Sequence, residues 1–400
     1  MAEVKRKPAI RFAGFADDWE QRKLSDVTES YSGGTPSVGK KEYYTGQIPF
    51  IRSAEINSDT TELLLSESGL TNSSAKMVYT GDILYALYGA TSGEVGIAQI
   101  QGAINQAILA IIPDDGYDSQ FLMQWLRGQK QRIIDKYLQG GQGNLSGALV
   151  KDLLVNFPNH DEQQRIGNYF SILDNLITLH QRKYEKLLNL KKAMLEKMFP
   201  KIGAVVPEVR FAGFTDPWEQ RKLGEATEEL TAYATMQSNF PLLTSARSGL
   251  MLQNEYRNNA STENQNTLFS VVPMGSCTYR HMSDDDIFHF NVNEIVENGL
   301  VSREYPVFVA STCNNLWAIV NYINSSPRFR AFCREQKIGG TRTRLYYKNL
   351  SAFSMMLPSS VEQESIGHFF RCLDHLITLH QRKLEKLRNL KKAFLEAMFV

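Results

Sequence analysis

The residues best placed to do chemistry sit on glycine-rich loops. Gly33-Gly34-Thr35-Pro36, Gly89-Ala90-Thr91-Ser92-Gly93 and Gly140-Gly141-Gln142-Gly143-Asn144 offer backbone N–H groups and short polar side chains with no bulky obstruction. Arg342 and Arg344 add guanidinium forks suited to phosphate or to a guanine edge, and Arg52 and Arg247 are forks of the same kind. Tyr279-Arg280-His281 does similar work in the second half of the chain. This is binding chemistry. Turn formation is the competing account of each such residue taken alone.

Motifs for turnover are missing. There is no GxxxxGK[ST] phosphate loop, no GxGxxG after a strand, and no Asn/Asp-Pro-Pro-aromatic motif for holding a flipped base. Glu335-Gln336-Lys337 is a formal ExK without a partner carboxylate at nuclease-like spacing, and reads as charge at a helix end. His281, Asp284, Asp285, Asp286 and His289 cluster like metal ligands, but consecutive aspartates make a solvated turn, so no metal is assigned. Four cysteines without a CxxC pair give neither a disulfide framework nor a zinc knuckle. A net charge of +1 excludes a polybasic chain but leaves room for a local basic face. The longest apolar run, Ala107 to Ile112, is too short for a bilayer, and no apolar signal core follows the basic start. A cytoplasmic protein that does not meet a membrane is expected.

The loops need a scaffold, and the scaffold is written twice. Leu173-Asp174-Asn175-Leu176-Ile177-Thr178-Leu179-His180-Gln181-Arg182-Lys183 returns as Leu373-Asp374-His375-Leu376-Ile377-Thr378-Leu379-His380-Gln381-Arg382-Lys383, and 22 of 27 aligned positions through Phe199 and Phe399 are identical. Both copies place apolar residues at helical spacing, with His180 and His380 inside the stripe as packed histidines. Each helix starts after Pro158 or Pro358, near Glu162 or Glu362, and would be about 55 Å long. Twin stripes pair most simply with each other, and antiparallel pairing turns a direct repeat into a pseudo-twofold. Leu179 and Leu190, with Leu379 and Leu390, widen the apolar arc beyond a two-helix seam, and together with Leu187 and Leu387 of the stripe they are assigned to partner binding. A second repeat, Arg11-Phe12-Ala13-Gly14-Phe15 to Trp19-Glu20-Gln21-Arg22-Lys23-Leu24, returns as Arg210 to Leu223. Between these fixed ends lie two divergent inserts.

The inserts mix strands and helices, which predicts an α+β class. Strands are expected at Ile48–Arg52, Gly81–Gly89, Ala107–Ile112, Phe288–Val292 and Tyr305–Val309. Helices are expected over Ser119–Leu138 and Trp317–Lys337, the latter broken at Pro327. The segments are 1–158, 159–203, 204–358 and 359–400: insert, long helix, insert, long helix.

Two divergent domains framed by near-identical long helices resemble the specificity subunit of type I restriction–modification systems. Gly33–Ser37, Ile48–Arg52, Gly81–Leu84, Gly89–Ile97, Gly143–Ser146, both WEQRKL elements and both LITLHQRK…LKKA helices carry the likeness, and the second insert looks like a different subtype. The resemblance implies two target-recognition domains, 1–158 and 204–358, held by two long antiparallel helices as a coiled coil with a pseudo-twofold internal repeat. It implies a non-catalytic subunit that reads a bipartite, asymmetric target in double-stranded DNA. The DNA-reading residues would then be Gly33, Gly34, Thr35, Arg52, Thr91, Ser92, Gln142, Asn144, Arg247, Tyr279, Arg280, His281, Arg342 and Arg344. Two methyltransferase subunits would dock on the helices, and restriction–motor subunits would join through them. S-adenosylmethionine, Mg and ATP belong in those partners, and this chain would hold no cofactor. The competing readings are a self-contained DNA-modifying enzyme and a coiled-coil DNA-binding adaptor without an enzyme partner.

Overall fold

The computed structural model describes residues 7–137, 144–256, 266–337 and 341–399. Both long helices form, over His160–Lys197 and Ser360–Met398. Each is started by side chains that its own sequence supplies. Asn159 Oδ1 accepts the Glu162 amide at 3.0 Å, and Ser359 Oγ accepts the Glu362 amide at 3.4 Å. Gln163 and Gln363 then reach back to the carbonyls of Pro158 and Pro358. The caps satisfy amides that a helix start leaves open, and the glutamines tie the entering chain to the first turn.

The chain forms two units, which divide it otherwise than at the boundaries drawn from the sequence. The first holds residues 1–181 with 382–400, and the second holds 182–381. Each long helix thus begins with one unit and ends with the other.

In the first unit, strands Thr28–Ser32, Ile108–Pro113, Ile83–Ala86 and Val95–Ile97 lie side by side in that order, all antiparallel. A second sheet orders Leu64–Leu65, Ile48–Ile51, Gly102–Ile104 and Lys76–Val78, with one parallel pair, Ile48–Ile51 beside Gly102–Ile104. Strand Glu20–Lys23 pairs antiparallel with Leu154–Phe157. Helix Ser119–Tyr137 turns Phe121, Leu122, Trp125 and Leu126 into the core. The start of the first long helix adds Ile166, Phe170 and Leu173, and the end of the second adds Met398 and Phe399. These two segments run antiparallel: Phe170 stacks on Phe399 at 5.7 Å, Lys391 meets Asp174 at 2.5 Å, and Arg388 donates to Gln181 at 3.0 Å.

The second unit repeats this plan with other residues. Strands Thr227–Glu229, Val307–Ala310, Cys277–Thr278 and Asn291–Val292 form the matching sheet. Tyr233–Ala234, Phe269–Pro273 and Asn298–Ser302 form a three-stranded sheet, and Glu219–Lys222 pairs with Ser354–Leu357. The expected helix is split into Leu316–Ser325 and Pro327–Glu335, with Ser326 between them accepting the Phe329 amide. The expected strand at Phe288–Val292 shrinks to Asn291–Val292. The other strands and the helix Ser119–Tyr137 form within a few residues of expectation. Here the end of the first long helix packs on the start of the second: Phe199 stacks on Phe370 at 5.9 Å, and Lys191 meets Asp374 at 2.5 Å.

Two devices recur in both units. Arg11 grips Glu162 with two bonds of 2.6 and 2.7 Å, and Arg210 grips Glu362 with two of 2.7 Å. Each fork fastens the RFAGF element to a long helix, and the carboxylate lies out of solvent. Gly167 and Gly367 leave room for the capping side chains Asp118 and Asn315, which a methyl group would strike. A glycine inside a helix costs about 1 kcal/mol against alanine, and close packing of the neighbouring helix start is what it permits here.

Candidate nucleic-acid interface

The central sheet strand of each unit is buried and runs out into a polar rim. In the first unit this strand is Ile83–Ala86, followed by Leu87, Tyr88 and Gly89. Tyr88 forms a bridge with Asn144, and Asn144 Oδ1 accepts the Gly89 amide at 3.4 Å. Thr91 closes the turn by donating to Tyr88 O, and the left-handed φ of Gly89 (+73°) and Gly93 (+79°) allows the chain to reverse. Gly89, Thr91 and Asn144 therefore come together at one rim, with Tyr88 37 % exposed among them. Tyr88 was not anticipated as a surface residue, because it reads as the end of an apolar run.

Three expectations in this unit are corrected. Ser92 is buried and its hydroxyl donates to Leu87 O at 3.2 Å, so it fixes the turn and faces no ligand. Gly33 and Gly34 serve packing: a Cβ on either would collide with the Ile104 carbonyl or with Ser74. Arg52 spends its fork internally, on Glu55 at 3.0 and 3.1 Å and on Glu62 at 2.6 Å, and these bonds hold its guanidinium firmly charged. Thr35 is exposed but bonds to Gln106. Gln142 lies outside the described residues.

In the second unit the equivalent strand, Cys277–Thr278, continues as Tyr279, Arg280 and His281. Tyr279 is fully buried, and its hydroxyl donates to Leu345 O at 3.1 Å. It is a core residue, and the reading of it as a DNA contact is corrected. His281 is also buried, 1 % exposed, with Nε2 3.3 Å from the Glu304 carboxylate. Burial pushes its pKa below the ordinary histidine value. Arg280 and Arg344 are exposed and have no ion-pair partner among the described residues. Arg247 and Arg342 are exposed but paired, with Asp285 at 2.5 Å and Asp284 at 2.6 Å. The bond from Arg247 holds the Asp285 carboxyl below its usual range. Asp286 accepts from Thr343. The aspartates are thus spent on the same rim's cations and hydroxyl. Among the described residues no group of three His, Cys, Asp or Glu is placed to hold a metal ion.

On the long helices the leucines separate. Leu179, Leu190, Leu379 and Leu390 are 47, 41, 38 and 39 % exposed. Leu187 and Leu387 instead pack against the cores of the second and first units, so their assignment to a partner is corrected. Leu176 and Leu376, expected inside the pairing stripe, face outward at 38 and 41 %. Among the described residues no helix is long and apolar enough to cross a membrane.

Comparison with known proteins follows the same lines. Residues 16–189 match the family described as type I restriction modification DNA specificity domain. The MjaIX specificity subunit of Methanocaldococcus jannaschii is 28 % identical over 190 residues, 46 % of this chain and 44 % of that protein. The putative MjaX specificity subunit of the same organism is 24 % identical over 421 residues, 96 % of this chain and 93 % of that one. The crystal structure of the Mycoplasma genitalium type I S subunit shares the fold, with a TM-score of 0.68 over 98 % of this chain and 99 % of that chain, at 14 % identity. Residues 16–189 thus match a type I restriction modification DNA specificity domain, and over nearly its whole length the chain is similar to a putative type I specificity subunit.

Proposed function

We propose that the chain reads a bipartite, asymmetric target in duplex DNA and catalyses nothing itself. One observation carries the reading: a duplicated frame presents two unlike rims at the ends of matching sheets. The first rim offers Tyr88, Thr91 and Asn144, and the second offers Arg280 and Arg344. Neutral amide and hydroxyl groups suit one set of base edges, and guanidinium forks suit another, with guanine foremost. Unlike rims read unlike half-sites.

The frame supports a partner that binds twice. The first unit exposes Leu176, Leu179 and Leu390, and the second exposes their twins Leu376, Leu379 and Leu190. Like patches take like partners, so two methyltransferase subunits per chain are inferred, with restriction–motor subunits joining through them. S-adenosylmethionine, Mg and ATP would be held by those subunits. Cytoplasmic residence accords with that assembly.

Exchanging residues 25–158 for the insert of another family member tests the reading. The modification pattern of the reconstituted complex should change in one half of the target only. A change in both halves, or methylation by this chain alone, would overturn it.

A further inference from the structure

The two rims can be aligned residue by residue through their backbone bonds. Leu145 N donates to Leu87 O at 2.9 Å in the first unit, and Leu345 N donates to His281 O at 2.8 Å in the second. His281 therefore stands where the first unit has Leu87, and Tyr346 stands where it has Ser146. Leu87 is an ordinary core residue, 1 % exposed. Ser146 is an ordinary helix cap, accepting the Leu149 amide at 3.2 Å for helix Gly147–Lys151.

Both replacements in the second unit work against local stability. His281 is as buried as Leu87, yet its Nδ1 has no hydrogen-bond partner among the described residues. Tyr346 occupies the cap of helix Tyr347–Leu350 and makes no side-chain cap bond. An orphaned polar atom in a core and a missing cap are each unfavourable. Two adjacent departures from local rules are what a binding site tolerates. What they achieve together is a stack: the rings of His281 and Tyr346 lie 5.1 Å apart at 25°. Burial favours the neutral imidazole, so the platform under Tyr346 is uncharged at neutral pH. Tyr346 itself remains 46 % exposed.

The surroundings name the ligand class. Along Thr343 to Tyr347 exposure alternates, with Thr343, Leu345 and Tyr347 inward and Arg344 and Tyr346 outward. Arg280 directly precedes His281, and Arg344 pairs in register with Met282 and shares the outward face of its strand with Tyr346. A braced aromatic face next to guanidinium groups with no ion-pair partner among the described residues suits a nucleobase on a phosphate backbone.

We propose that Tyr346 and Arg344 form a base-reading element for the second half-site, with His281 as the positioning residue that braces Tyr346. Arg344 takes a guanine edge, and the Tyr346 ring meets the neighbouring base. The proposal rests on the reading of this chain as a DNA-specificity subunit.

The test is selection of duplexes from a library randomised over the target, using the full chain bound to its methyltransferase partner. The double variant His281→Leu, Tyr346→Ser installs the first unit's own pair, and should melt no lower than wild type. It should nonetheless lose about ten-fold or more of its preference at one or two adjacent base pairs of the second half-site. Arg344→Ala should lose preference at the same place, at a G·C pair, and Tyr346→Phe should retain the wild-type target. The first half and the spacer should not change. Wild-type preference in the double variant and in Arg344→Ala would overturn the proposal, as would a loss spread evenly over both halves. A wild-type complex that selects no target would instead overturn the DNA-reading function.

Discussion

Phe399→Ala should loosen the first unit, although Phe399 follows the second insert in the chain. Its ring is 8 % exposed and lies 5.7 Å from Phe170, 5.2 Å from Phe121 and 6.5 Å from Trp19, all in the first unit's core. Truncating a buried phenylalanine costs about 3–5 kcal/mol, the transfer term plus the cavity left among rigid rings. For a unit of this size each kcal/mol lowers the melting temperature by about 2–4 °C, so a fall of roughly 6–20 °C is expected. Phe199→Ala is the mirror experiment, because Phe199 sits against Phe370, Tyr322 and Trp218 in the second unit. Hydrogen exchange followed by mass spectrometry separates the two. In Phe399→Ala the amides of Ile83–Ala86 should exchange faster while those of Cys277–Thr278 keep their protection, and in Phe199→Ala the order should reverse. Loss of protection at Cys277–Thr278 in Phe399→Ala, with Ile83–Ala86 unchanged, would show that each helix end belongs to the insert it follows.

Asp174 gives a pH signature. Burial alone would raise its pKa, but the charges of Lys391 and Arg127 and the bonds from Lys391 and Gln124 hold the carboxyl below its usual range. A depressed folded-state pKa means that its stability contribution is present above about pH 3.9 and is lost as pH falls through the lower folded value. Asp174→Asn should flatten the acid limb of denaturation curves for the first unit; equal slopes in variant and wild type would refute this. Leu179→Glu with Leu379→Glu should abolish binding of the methyltransferase partner in a mass measurement while leaving circular dichroism and melting unchanged, because both side chains are exposed. Intact assembly would remove these leucines from the docking surface.

The frame was legible because its signals are local. The Pro–acidic starts, the helical stripe and the RFAGF and WEQRKL repeats all announce themselves within a few residues, and the caps at Asn159 and Ser359 act over the same distance. The ownership of each helix end was not legible. Leu187 and Leu387 occupy nearly identical sequence contexts, and only the tertiary contacts place one in the second unit's core and the other in the first's. The rims were half legible. Arg52, Arg247 and Arg342 looked like free forks, but carboxylates in the folded neighbourhood had already taken them. Tyr279 looked like surface because Cys277, Thr278 and Tyr279 are all buried, and a strand covered on both faces shows no alternation.

The duplication itself separates what the frame must keep from what it can change. Strands Glu20–Lys23 and Glu219–Lys222 have the same sequence, and all of their residues are exposed. The strands they pair with, Leu154–Phe157 and Ser354–Leu357, are mostly buried and differ at every position. Ordinary divergence runs the other way, because buried residues are held by packing and exposed ones are tolerant. Here the cores have been rebuilt around different inserts, Val155 giving way to Met355 and Phe157 to Leu357, while the surface strand stayed fixed. A surface kept in duplicate meets the same neighbour twice. DNA half-sites that differ do not supply such a neighbour at the level of bases, and the strand's own charges cancel in part, Arg22 on Glu20 and Arg221 on Glu219. The protein partner proposed above, present in two copies, would supply it. The unlike rims and the like frame thus call for unlike and like ligands respectively, and one chain satisfies both by carrying its divergence inside the inserts.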